Sequence, residues 1–167
     1  MPSIRSSYDL WPICNAQLRA AVRPLTPDQV RLSPAAGRWP LWAVVGHLAC
    51  QRVFWLSDFA GVPGRESTPF LNAASDCPGD DDLENVLEAE QLVHALDSTF
   101  SIVERCLDTW TIDSLPEEIV RNWPNGETWT RGRGNVIQRV FAHDISHVAE
   151  VNETLTAAGL PPVDLWQ

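Results

Sequence analysis

The chain has 167 residues and 44% apolar side chains, enough for one domain with its own core, expected to span residues 1–167. Its formal net charge is -10 and it has no Lys or Arg cluster beyond Arg131 and Arg133. Such a surface is repelled by phosphate backbones and anionic membranes, so nucleic acid and membrane are not expected partners. All twelve basic residues are arginine, which excludes Schiff-base chemistry and a P-loop lysine.

No apolar run approaches the roughly 20 residues of a membrane span, and the first residues are polar, so a cytoplasmic location is expected. Cys14, Cys50, Cys77 and Cys106 are widely spaced, without a C-x-x-C pair, and read as free thiols packed as small hydrophobes.

A first helix is expected from about Ser6 to Arg23, with Pro12 tolerated only near its start. Thr26-Pro27-Asp28-Gln29 resembles the cap of a short helical turn. The second helix should open at Trp39-Pro40, with Pro40 as first helical residue, and run to about Ala60, before Gly61 and Pro63. The third is expected from near Asp82, because the acidic run Asp80 to Glu84 suits a helix N-terminus. Val86, Val93, Phe100 and Leu107 form one row of a seven-residue repeat on it, and Ala89, Leu96, Val103 and Trp110 the other. A short extra helix is expected to start over Ser114 to Glu118, and a small hairpin around Asn125-Gly126, between Trp123 and Trp129. The fourth long helix should run from about Asn135 to Ala158, closed by Gly159 and Pro161. The expected fold is therefore all-α, a bundle of four long helices with long connections at Pro24 to Trp39, Gly61 to Asp81 and Thr111 to Gly134.

His143 and His147 are four residues apart on the last helix, so their rings leave the same face, as a helix offers two imidazoles to one ion. At about 100° per residue, His147 falls within the apolar stripe and His143 at its edge. His47 stands at the edge of the second helix's stripe, near Gln51, Phe54 and Asp58. The three can converge from two helices on one divalent metal. His94, outside the seam rows of its helix, reads as a surface residue. Asp144 falls in the middle of an apolar stripe and needs a buried partner: Arg52, Arg131, Arg133, a tryptophan N–H or a loop N–H. It serves either as a structural clamp or to orient a ligand histidine.

Arg38-Trp39-Pro40-Leu41-Trp42 followed by Val45-Gly46-His47-Leu48 resembles the start of the second helix in the DinB-like proteins, the DinB/YfiT superfamily. Arg131-Gly132 and then Val140 to His147, with Glu150 and the closing Ala158-Gly159-Leu160-Pro161, are similar to its fourth helix. The resemblance covers nearly the whole chain. It implies a four-helix bundle with a three-ligand zinc or nickel site at His47, His143 and His147. It also implies relatives among S-transferases that use low-molecular-weight thiols, bacillithiol or mycothiol. The mycothiol-dependent maleylpyruvate isomerases are similar but carry Glu at the position of His143.

Three neutral imidazoles leave a coordination position for a thiol or a water, and either is acidified there. The expected function is a metal-dependent thiol S-transferase acting on a small-molecule substrate. The alternatives are a metal-dependent hydrolase and a non-catalytic metal or small-ligand binding protein. Glu150 is the first candidate for a general base, with Asp58 and Gln51 also on the metal-facing sides. Arg131 to Gly134 could offer an anion site at a helix N-terminus, or be a plain loop. Of eight tryptophans, Trp55 and Trp110 read as core, whereas Trp42, Trp123 and Trp129 could line a pocket mouth or the interface of a homodimer.

Overall fold

Local capping chemistry sets where the helices begin. The computed structural model describes residues 2–165. A 3-10 turn at Ile4–Ser7 precedes α1, Leu10–Val22, and Pro12 falls in the first turn, where its missing N–H costs nothing. The short α2, Pro27–Val30, is held by a capping box: Thr26 Oγ1 accepts from Gln29 N–H, and Gln29 Oε1 accepts from Thr26 N–H. Helix α3 spans Leu41–Val53; Pro40 is its N-cap, with extended backbone, rather than its first helical residue. Beyond Val53 the same rod continues as a wider π turn over Phe54–Phe59. Every residue from Leu41 to Cys50 is buried, as expected of a helix apolar on all sides, and α3 packs against both α4 and α5.

Helix α4 spans Ala89–Thr109, a later start than Asp82. The acidic run does not begin a helix because Asp82 spends its carboxylate on a local turn. Its Oδ1 accepts from the N–H groups of Glu84 (2.8 Å) and Asn85 (3.0 Å), and its Oδ2 from the Asn85 side chain. Glu88 is the N-cap, in a reciprocal box with Gln91. Val86 therefore precedes the helix, while Leu96, Phe100, Val103 and Leu107 are buried seam residues as expected.

The expected helix over Ser114 to Glu118 is absent. A 3-10 turn covers Ile112–Ser114 instead, capped by Thr111, and Pro116 follows it. The chain then forms an antiparallel hairpin, β1 Glu118–Asn122 and β2 Thr128–Gly132, with Glu118 opposite Gly132 and Asn122 opposite Thr128. Gly126 takes φ +88° in its turn, which is why Asn-Gly marks it. The hairpin makes the fold mostly helical rather than all-α. Helix α5, Arg133–Ala157, ends at Gly159 (φ +69°), where Leu160 N–H returns to Leu155 O.

Trp42 is 2% exposed and belongs to the core, not to a pocket mouth. Trp123 and Trp129 are half-buried in an aromatic cluster in which Phe54 stacks on Trp123 at 5.4 Å. Asp144 is buried and its Oδ2 accepts three N–H groups: Arg52 Nη2 at 2.7 Å, Arg52 Nε at 2.9 Å and Trp11 Nε1 at 2.7 Å. Arg52 Nη1 also reaches Leu96 O at 3.3 Å. This clamp joins α1, α3, α4 and α5 through one carboxylate. Burial pushes the Asp144 pKa up, while Arg52 and Trp11 pull against it. Among the described residues, no helix is long and apolar enough to cross a membrane.

Candidate metal centre

Helix α3 brings His47, and α5 brings His143 and His147, to one point. His143 Nε2 lies 3.2 Å from His47 Nε2 and 3.0 Å from His147 Nε2, and the three donor atoms lie within 4.8 Å of one another. His47 is 5% exposed, and the other two are half-buried.

The far side of each ring decides which nitrogen holds the proton. His47 Nδ1 faces the carbonyl oxygen of Pro78 at 3.1 Å. A carbonyl only accepts, so Nδ1 carries the proton and Nε2 presents a lone pair to the centre. His147 Nδ1 likewise donates to Glu150 Oε2 at 2.9 Å, leaving its Nε2 lone pair inward. His143 Nδ1 is buried with no partner among the described residues. Its Nε2 can donate to only one of the two facing lone pairs, so the group cannot satisfy itself from within. A cation satisfies all three at once. Nitrogens about 2.0–2.1 Å from a common ion lie about 2.9–3.4 Å apart at octahedral to tetrahedral angles, which brackets the observed separations. The donor set fits a divalent ion.

Burial, and then the neighbouring His147 and His47, hold the His143 pKa down to about 3. Its lone pair is therefore free at neutral pH. Burial opposes charge on His47, but the Cys77 thiol, Asp80 and the Pro78 carbonyl outweigh it and raise its pKa. The Cys77 thiol is drawn down by Cys50, against burial, with help from His47 and Gln51. Cys77 Sγ is 3.7 Å from His47 Nδ1, on the side of the ring away from the other histidines, so it is not part of the converging donor set. All four cysteines are buried and free, as expected.

Glycines let the Cys77–Asp82 loop close over His47. A Cβ on Gly46 would sit 3.1 Å from Pro78 Cβ, and one on Gly79, which has φ +86°, would sit 2.7 Å from the Trp39 ring. Trp39 in turn lies 5.1 Å from the His47 ring.

Glu150 is placed at the centre, but through His147. Asp58 and Gln51 are not drawn in: Asp58 accepts from Arg65 at 2.9 Å, and Gln51 Nε2 faces Cys77 Sγ at 3.6 Å. The Arg131 to Gly134 segment is neither a loop nor an open anion site: it is the end of β2 running directly into the first turn of α5. The N–H groups of Arg133 and Gly134 are taken by Glu117 O and Leu115 O, and Arg133 pairs with Glu117 and lies over Trp110. His94 is exposed, as expected. The contributions of Cys77, Pro78 and Asp80 have no local signal in the sequence, since they come from a loop folded onto α3 from about 30 residues away.

The fold and the site define a mostly helical protein with a three-histidine group able to hold a metal ion. The sequence profile of the DinB superfamily matches residues 13–151, and the chain belongs to that metal-associated superfamily. The crystal structure of a conserved protein from Enterococcus faecalis has a similar fold. Its TM-score is 0.64 at 15% identity, over 93% of this chain and 99% of that one. No curated protein matches the chain.

Proposed function

We propose that His47, His143 and His147 hold one divalent ion, zinc or nickel, and that the protein is a metal-dependent thiol S-transferase acting on small molecules. The observation that carries this reading is the inward Nε2 triad, 3.0 and 3.2 Å across two of its edges, with the outer nitrogens of His47 and His147 already tied. An ion held there supplies acidification: a thiol joining it gives up its proton near neutral pH. The chain's own residues orient the rings. Pro78 O fixes His47, and Glu150 fixes His147. A cavity of about 270 Å³ beside His147 is large enough for a small thiol or electrophile. On this reading α1, α3, α4 and α5 act as a four-helix bundle that keeps the two ligand-bearing helices in register. Cytoplasmic thiol pools suit the reaction, and four free cysteines fit a reducing compartment.

The test is metal content by mass spectrometry of tag-free protein, beside the His47→Ala, His143→Ala, His147→Ala triple variant. Near one ion per chain, lost in the variant, is expected. So is metal-dependent consumption of a thiol in the presence of an aryl halide. Wild type that binds neither zinc nor nickel refutes the metal site. A loaded protein that transfers no thiol to any electrophile refutes the S-transferase.

A further inference from the structure

The cavity beside His147 also carries a cation that the metal-site reading leaves unused. Arg38, in the loop before α3, forms part of its wall together with Trp39 and Glu150. The guanidinium is half exposed and loosely held. Only Nη2 is engaged, 3.3 Å from Glu153 Oε2 and 3.8 Å from Glu150 Oε1, and the second distance is too long for a hydrogen bond. Nε and Nη1 make no hydrogen bond among the described residues, which leaves a donor edge of the fork available. Glu150 alone separates this guanidinium from His147, because its other oxygen holds the His147 ring.

A cation placed one carboxylate away from a ligand histidine opposes metal binding. In a chain of net charge -10 with acidic residues to spare, such a placement calls for a second role. Neutralising Glu150 and Glu153 is a poor account of it, since the contacts are long and Glu153 is mostly exposed. A planar fork with unused donors, in the wall of a small cavity that Trp39 also lines, suits bidentate capture of a carboxylate.

We infer that the cavity binds its small molecule by a carboxylate at Arg38, so that the thiol used by the protein is an acidic one. The identification of the ligand as a thiol rests on the proposed function; the carboxylate subsite does not. The acid group meets the guanidinium, the carbon skeleton lies along Trp39, and the sulfur is directed toward His147, the ligand histidine in the cavity wall. The size of the cavity, below the usual range of about 300–1,000 Å³ for drug-sized ligands, keeps the ligand small.

The test titrates cobalt-loaded protein with mercaptopropionate and with its neutral amide, read by the sulfur-to-cobalt charge-transfer absorption. Wild type should bind the acid about tenfold more tightly than the amide, the worth of one charge-assisted pair. Arg38→Met should bring the acid down to the amide's affinity while leaving the amide within about twofold, and Arg38→Lys should keep part of the preference. Equal binding of acid and amide by wild type, or an unchanged preference in Arg38→Met, overturns the inference. Propionate binding to metal-free protein, followed by saturation-transfer NMR, separates the two readings. Binding lost in Arg38→Met, with no thiol producing the absorption, keeps the carboxylate subsite and sinks the S-transferase. Thiol absorption without any acid preference does the reverse.

Discussion

Glu150 offers the sharpest test of how the centre is built. Its Oε2 accepts from His147 Nδ1 at 2.9 Å, and the same ring presents Nε2 to the other histidines. A carboxylate there holds the tautomer and the ring orientation that a metal ligand needs. Removing such an orienting partner commonly costs 10–100-fold in metal affinity, or about 1.4–2.8 kcal/mol. Glu150 is about a third exposed, so water can replace part of the bond, and the loss should fall near the lower end. Glu150→Gln keeps an acceptor without the charge and should lose roughly fivefold to tenfold, and Glu150→Ala about tenfold or a little more. Competition with a chelator and a zinc-sensitive dye measures both. A general base that leaves His147 alone predicts the opposite pattern, with metal affinity intact and turnover lost. Zinc affinity of Glu150→Ala within twofold of wild type would refute the orienting role.

The pH dependence of metal binding should be shallower than three histidines suggest. His47, with its pKa raised, must release its proton to bind, so affinity is full above that pKa and falls as pH drops through it. His143, held down to about 3, has no proton to release between pH 7 and roughly pH 5. Fewer than three protons should therefore leave per ion, as calorimetry in buffers of different ionisation enthalpy would show; a count of three refutes it. Arg52→Met strands the Asp144 carboxylate in the core and should cost about 3–5 kcal/mol. That is a fall in Tm of roughly 6–20 °C at about 2–4 °C per kcal/mol for a chain of this size. Asp144→Asn in the same background should restore part of it, and a loss under about 1 kcal/mol would show that the clamp is dispensable. Gly79→Ala forces a side chain into a left-handed backbone position and against the Trp39 ring, and should destabilise by about 1–3 kcal/mol. An unchanged denaturation midpoint would show that the loop over His47 gives way freely.

The triad was legible because helical spacing is a strong constraint. His143 and His147 share a face by arithmetic, and His47 stands at the edge of an apolar stripe with few other histidines to compete. Asp144 was legible as a problem: a carboxylate in an apolar stripe must be paired, and both Arg52 and a tryptophan N–H from the candidate partners supply the pairing. The start of α4 was not legible, because an acidic run stabilises a helix N-terminus and a side-chain-capped turn alike. Tertiary packing, with the loop closing over His47, selects the turn. Trp42 was misplaced because its amphipathic ring suits a surface as well as a core. Nothing in its neighbourhood shows that α3 is surrounded on all sides. The Pro78 carbonyl, which sets the His47 tautomer, is invisible to any side-chain motif.

The clamp and the triad occupy the same two helices within a turn or two. Asp144 lies between His143 and His147 on α5, and Arg52 follows His47 by five residues on α3. A slip of α5 along α3 would break the Arg52–Asp144 pair and scatter the imidazoles together. The pair draws on none of the three imidazoles, and α4 and α1 add to it through Leu96 O and Trp11. Core packing of this kind should align the ligands before an ion arrives, unlike in small zinc domains that fold only around their metal. The consequence is quantitative. Metal should raise the unfolding free energy of an already cooperative apoprotein by no more than the binding term, about 2.7 kcal/mol at a hundredfold excess over Kd. A metal-free chain lacking a cooperative transition would instead assign the alignment to the ion.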